Sequence, residues 1–145
     1  MTRLWPMILA TTLVAPGLAL RAQAPEVRTA RLTPSPVELA TARDLTGSGS
    51  ARALLTGNTL TITGNFEGLQ TPATEANLHA GTKGLRGPVV AVLELDGSIE
   101  GTIRAELKLS NVQVDYLKQE RLYIQLQSEE SPEGLLRGWL VQPED

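Results

Sequence analysis

Downstream of Gly47 the chain breaks into short runs in which every second residue is apolar, and each run ends at a turn signal. The clearest is TLTITGNF, residues 59–66, where threonines alternate with Leu60 and Ile62. A period of two places successive side chains on opposite faces, so such a run buries one face only as a strand. Residues 48–55, 75–80, 89–95, 98–107, 122–127 and 135–142 are the other strand candidates, and residues 27–32 read as an edge strand ahead of Pro34-Ser35-Pro36. Thr56-Gly57-Asn58 and Asp96-Gly97 mark hairpin turns. Ser110-Asn111-Val112-Gln113 has the form of a capping box, which predicts one or two helical turns over residues 112–118. Helical periodicity is otherwise nearly absent. The expected fold class is all-β, a Greek-key antiparallel β-sandwich with one short helix.

The first residues have a different character. Arg3 precedes an apolar stretch over residues 4–20, broken by Pro16 and Gly17 and followed by Ala22-Gln23-Ala24. This is the pattern of a secretory signal peptide. Residues 1–24 are read as that leader and residues 25–145 as a single domain. A membrane anchor is the poorer reading, because a spanning helix needs about 20 uninterrupted apolar residues. The expected location is periplasmic or secreted, with no membrane attachment after cleavage. Cysteine is absent, so neither a lipid-anchored cysteine nor a disulfide is available, and stability must come from a packed core. The leader takes two of the 13 bases and none of the 16 acids, which moves the net charge from −3 to about −5. A net acidic domain has no bulk electrostatic attraction to nucleic acid or anionic lipid.

Two stretches resemble a known family. The run LTITGNFEGLQTPATEANLHAGTKGLRGPVVAVL is similar to the core of the CHRD domain, the module named after chordin and also found in exported bacterial proteins. The run LYIQLQSEESPEGLLRGWLVQP is similar to its C-terminal signature, and together the resemblance spans residues 28–143. It implies an immunoglobulin-like or superoxide-dismutase-like sandwich that acts as a protein-interaction module. The chain departs from the family pattern where chemistry would sit. The family's His-x-His is here Asn77 and His79, a strand-ending histidine is Gln127, and a Gly-Glu-x-Arg-Gly run is Gly134-Leu135-Leu136-Arg137-Gly138.

Alternation sorts these strands into faces. Ala76, Leu78, Ala80, Leu122, Ile124, Leu126, Leu136, Gly138 and Leu140 form the core set. The opposite set is Asn77, His79, Tyr123, Gln125, Gln127, Arg137 and Trp139, a polar-aromatic candidate binding face. One imidazole among amides is a poor transition-metal donor set, and Glu129, Glu130 and Glu133 match no calcium loop, so no metal or cofactor is expected. His79 lacks a second histidine or a nucleophile elbow beside it, so a structural hydrogen bond near Gly81 is the preferred role. The loop from Gly81 to Gly87 lacks the Gly-Lys-Ser/Thr ending of a phosphate loop and reads as a turn that glycines with positive φ shape. Arg137 is expected to pair with Glu75 or Glu133, and Trp139 to lie under a loop.

The leading functional reading is therefore an exported, non-catalytic module that contacts an unknown protein or envelope component. The alternative is a metal-binding or redox-related protein on the same sandwich. Self-association through Leu135, Trp139 and Val141 is a third.

Overall fold

The computed structural model describes residues 24–35 and 46–145. The expected leader lies outside the described residues apart from Ala24. Eight strands and one helix follow in order: β1 (Glu26–Pro34), β2 (Ser48–Thr56), β3 (Thr59–Glu67), β4 (Ala73–Ala80), β5 (Val89–Gly97), β6 (Gly101–Lys108), α1 (Asn111–Lys118), β7 (Leu122–Ser128) and β8 (Leu136–Trp139). Among the described residues no helix is long and apolar enough to cross a membrane.

The all-β antiparallel class and the single short helix match the sequence reading. The layers differ from it. The strands pair in the cyclic order β1-β2-β3-β6-β5-β4-β7-β8, which closes into a barrel rather than leaving two open sheets. Two strands turn the corners. β5 pairs with β4 through its first half and with β6 through its second, and β1 pairs with β2 along its length and with β8 only at Thr33 and Pro34. The reading of residues 27–32 as an edge strand is thus corrected: β1 has a neighbour on both sides. A closed ring leaves no free row of backbone donors and acceptors.

Gly138 permits this closure. A Cβ there would lie 2.4 Å from the Arg31 carbonyl oxygen, so only a residue without a side chain lets β8 approach β1. The β2–β3 turn is Gly57-Asn58, with φ of +61° at Gly57. A glycine at the first central position is the II′ pattern, whose twist suits a hairpin.

The interior follows the period of two. Leu32, Ala53, Leu60, Ile62, Leu78, Ile103, Ile124, Leu126, Leu136 and Leu140 are all buried within one cluster. Phe66 is the one aromatic ring in that cluster. Arg28 is also buried and continues the inward series of Ala30 and Leu32. It is held by Glu26 as an ion pair and by the Val27 carbonyl at 3.2 Å. A buried charge persists when paired and hydrogen-bonded.

Helix α1 lies across one end of the ring. Ser110 is its N-cap and Gln113 returns the bond, so the capping box forms as expected. Asn58 ties the helix start to the β2–β3 turn through Nδ2 to the Leu109 carbonyl at 3.1 Å. At the other end Glu120 adopts φ of +57°, its N–H reaches Leu117 and that of Arg121 reaches Tyr116. That is a Schellman motif with glutamate where glycine is usual. The glutamate has a second role: Lys83 Nζ donates to Oε2 at 3.0 Å, and the Gln142 N–H to Oε1 at 3.3 Å.

Two predictions follow from closure and capping. Gly138→Ala pushes a methyl group into backbone that cannot yield, so we expect a loss of about 1–3 kcal/mol in chemical unfolding. The second concerns Glu120. The Lys83 contact foremost, then the Gln142 amide, holds its carboxyl below the ordinary range. Such a group stabilises the fold above its unfolded pKa, and that contribution fades as pH falls through the folded value. Glu120→Gln should flatten the acid-side decline in unfolding midpoint while lowering stability at neutral pH.

Candidate functional site

The seven residues singled out in the sequence meet on the outer face of β4, β7 and β8. Register places His79 beside Tyr123 and Tyr123 beside Trp139 in one row. Asn77, Gln125 and Arg137 form the next row, and Gln127 lies opposite Glu75 in the third. Strand pairing alone brings them together, since same-face partners on adjacent strands sit about 5 Å apart.

The rings are in contact. His79 stacks on Tyr123 with centroids 4.9 Å apart and planes 8° from parallel. Tyr123 meets Trp139 at 4.8 Å and 42°. The Arg137 guanidinium lies 5.1 Å from the Tyr123 centroid and 6.0 Å from that of Trp139. Its Nε and Nη2 both donate to Gln125 Oε1, at 3.2 and 2.7 Å, which locks the group over the rings.

Alternation marked a polar-aromatic candidate binding face, yet Asn77, His79, Tyr123 and Gln125 are all buried. Two loops cover them, each docking through a glycine. Gly87 supplies an N–H to Tyr123 Oη at 2.9 Å and a carbonyl to His79 Nδ1 at 2.8 Å. A Cβ on Gly87 would lie 1.6 Å from the Ala80 carbonyl oxygen, so the loop could not lie this close with any side chain there. Trp139 Nε1 donates to the Gly81 carbonyl at 2.9 Å. On the other flank Gly134, with φ of +128°, leaves room for a side chain of Gln125 that would sit 2.8 Å from a Cβ. The ion pair Arg86–Glu133, at 3.2 Å, joins the two loops across the top.

Several expectations change. Arg137 pairs with neither Glu75 nor Glu133; Glu133 is taken by Arg86, and Gln125 holds the guanidinium. Of the loop glycines only Gly84 has positive φ, +85°, while Gly81 and Gly87 serve close approach. Leu135 is buried and Val141 bridges to Thr29, so the apolar trio expected on the outer face is not one surface. The expected structural bond of His79 forms, to the loop it precedes, and Trp139 lies half-buried beneath that loop. Gln127 is half-buried at the margin. Arg28 and Glu120 went unnoticed in the sequence. The signal for Arg28 was present, because it shares the inward parity of Ala30 and Leu32.

The chemistry open to this site is limited by its donors. A carbonyl at Nδ1 requires Nδ1–H, so in the neutral imidazole the lone pair is on Nε2. That Nε2 and the Asn77 Oδ1 are buried without partners. Zinc or copper would need two further histidines, cysteines or carboxylates, and no group of three such residues occurs among the described residues. The residues present do not fit a transition metal.

Tyr123 Oη accepts from the Gly87 N–H and donates to the Gly87 carbonyl at 3.4 Å, so Tyr123→Phe keeps the stack and removes both bonds to the loop. We expect a loss of about 0.5–1.5 kcal/mol and faster amide exchange over residues 81–88.

The model of the CHRD domain family matches residues 28–140. No curated protein and no solved structure matches the chain. The matched span begins within β1 and ends just past β8, so it includes the corner strands, the helix and the covered face. The chain belongs to the CHRD domain family.

Proposed function

We propose that this chain is an exported, non-catalytic interaction module of the cell envelope, periplasmic or secreted, made of one domain over residues 25–145. The leader-like pattern of residues 1–24 supports export. Membership of the CHRD family supports a binding role. We read the closed ring, in which β1 and β5 each pair with two neighbours over different parts of their length, as a variant of the Greek-key sandwich that the strand count suggested.

One observation carries the reading. Arg137 is a half-buried guanidinium fixed on two aromatic rings, with no carboxylate among the described residues in ion-pair reach. Arginine and tryptophan together are frequent anchors of protein interfaces. An arginine already immobilised loses little rotamer freedom on binding. The accessible margin formed by Gln127, Arg137 and Trp139 is then the contact surface, and Asn77, His79, Tyr123 and Gln125 support it from below.

A photo-crosslinking residue at position 127 tests this in envelope extract. We expect a discrete adduct that Arg137→Ala reduces at least tenfold and Arg137→Lys only partly restores, with unfolding midpoints reported alongside. Absence of any adduct, or an adduct indifferent to residue 137, overturns the proposed surface. Stoichiometric copper or zinc in protein isolated from its native compartment, lost in His79→Ala, would replace this reading with the metal-linked alternative.

A further inference from the structure

The face of the ring opposite the aromatic stack is built differently. Alternation sends Thr29, Arg31 and Thr33 of β1 outward, together with Ser50 and Arg52 of β2, Thr63 and Asn65 of β3, and Thr102 and Arg104 of β6. Their inward partners Ala30, Leu32, Ala51, Ala53, Ile62, Ile103 and Ala105 are buried. Register aligns the outward residues in two rows: Thr29, Arg52, Thr63 and Arg104, then Arg31, Ser50, Asn65 and Thr102. Apart from the backbone bridge of Thr29 to Val141 at the seam, no loop bonds to these rows among the described residues. Arg31, Arg52 and Arg104 are exposed, and no carboxylate among the described residues lies in ion-pair reach of any of them.

Strand spacing sets their separation. Arg52 and Arg104 flank Thr63 on either side, so their Cα atoms lie about 10 Å apart. Arg31 is the diagonal neighbour of Arg52, about 7–8 Å away. The ground between is hydroxyl and amide, with Ser50 Oγ bonded to Asn65 Oδ1 at 3.2 Å. Two adjoining depressions, of about 740 and 480 Å³, share Ser50, Asn65 and Thr102; the smaller is lined by Arg52 and no acid, the larger by Arg31 with Glu67 and Glu100 at its far end. Acids border the band. Glu94 lies opposite Arg104 and Asp96 opposite Thr102 on β5, while Glu67 and Glu106 lie beyond the rows on β3 and β6.

We propose that this outer band of β1, β2, β3 and β6 binds a linear glycan carrying anionic groups, sulfate or uronate. Guanidinium is the side chain that matches a sulfate or carboxylate with two parallel hydrogen bonds. Serine, threonine and asparagine between the charges match the hydroxyls of a polyol chain. The bordering acids limit the positive band to the width of one polymer strand. A flat anionic membrane would press against Glu67 and Glu106 as well, so a membrane is the poorer partner. The inference does not rest on the Arg137 surface, which adjoins the band only at the β1–β8 seam, where Thr33 pairs with Arg137.

Retention of the full chain on immobilised dextran sulfate, on polygalacturonate and on neutral dextran tests it. We expect salt-sensitive retention on one or both anionic polymers and none on neutral dextran. Replacing Arg31, Arg52 and Arg104 by glutamine should weaken binding at least tenfold without moving the unfolding midpoint, because all three side chains are exposed. Lys108→Gln with Lys118→Gln, off the band, should leave binding unchanged. Three outcomes overturn the proposal: no retention of the parent protein on either anionic polymer, equal weakening by the lysine pair, or tighter binding to vesicles of anionic lipid than to both polymers.

Discussion

A β-strand carries a row of backbone donors and acceptors on each edge, and in this protein those rows have to be matched by the chain itself. Closure at β1 and β8 does this. The contact is short, two residue pairs at Thr33 and Pro34, extended by the bridge of Thr29 to Val141. It exists because Gly138 lets the two backbones meet. With the ring closed, every inward side chain faces another, and leucine, isoleucine and alanine fill the interior without a disulfide. The helix and the charged cluster at Glu120 lie across an end that closure has already defined.

Closure also produces two unlike outer faces. On β4, β7 and β8 the outward side chains singled out above are an imidazole, a phenol, an indole, three amides and a guanidinium. Buried polar atoms are costly unless bonded, and two loops supply most of the missing partners through the backbone of Gly81 and Gly87 and the close approach of Gly134. On β1, β2, β3 and β6 the outward residues are threonine, serine, asparagine and arginine, all of them comfortable in water. That face has no covering loop bonded to it among the described residues.

His79 shows how this division bears on function. Its Nδ1 fastens a loop, its ring is pinned against Tyr123, and its remaining nitrogen is sealed from solvent. A residue so committed contributes to shape. The groups still free to meet a partner are those at the margins and on the open face, and the charged ones singled out there are arginines. For a domain with net negative charge, both proposed surfaces rest on where a few guanidinium groups are placed rather than on the total.

The amino-acid order by itself determined the strands, their boundaries to within three residues, the capped helix, the inward residue set and the membership of the polar-aromatic cluster. These are local or parity properties: a period of two assigns each side chain to a face, and turn and cap residues act on their own neighbours. Even the rows of the cluster were implicit once pairing was assumed. Tertiary structure alone decided three things. It joined the two layers into a ring, which depends on a backbone approach between Arg31 and Gly138, residues far apart in the chain. It buried much of the face that alternation had marked as a candidate binding face, because parity says which way a side chain points and nothing about what later folds over it. And it paired Arg137 with Gln125 instead of an acid, since Glu133 was drawn to Arg86 on the opposing loop, a choice set by where two loops meet in space.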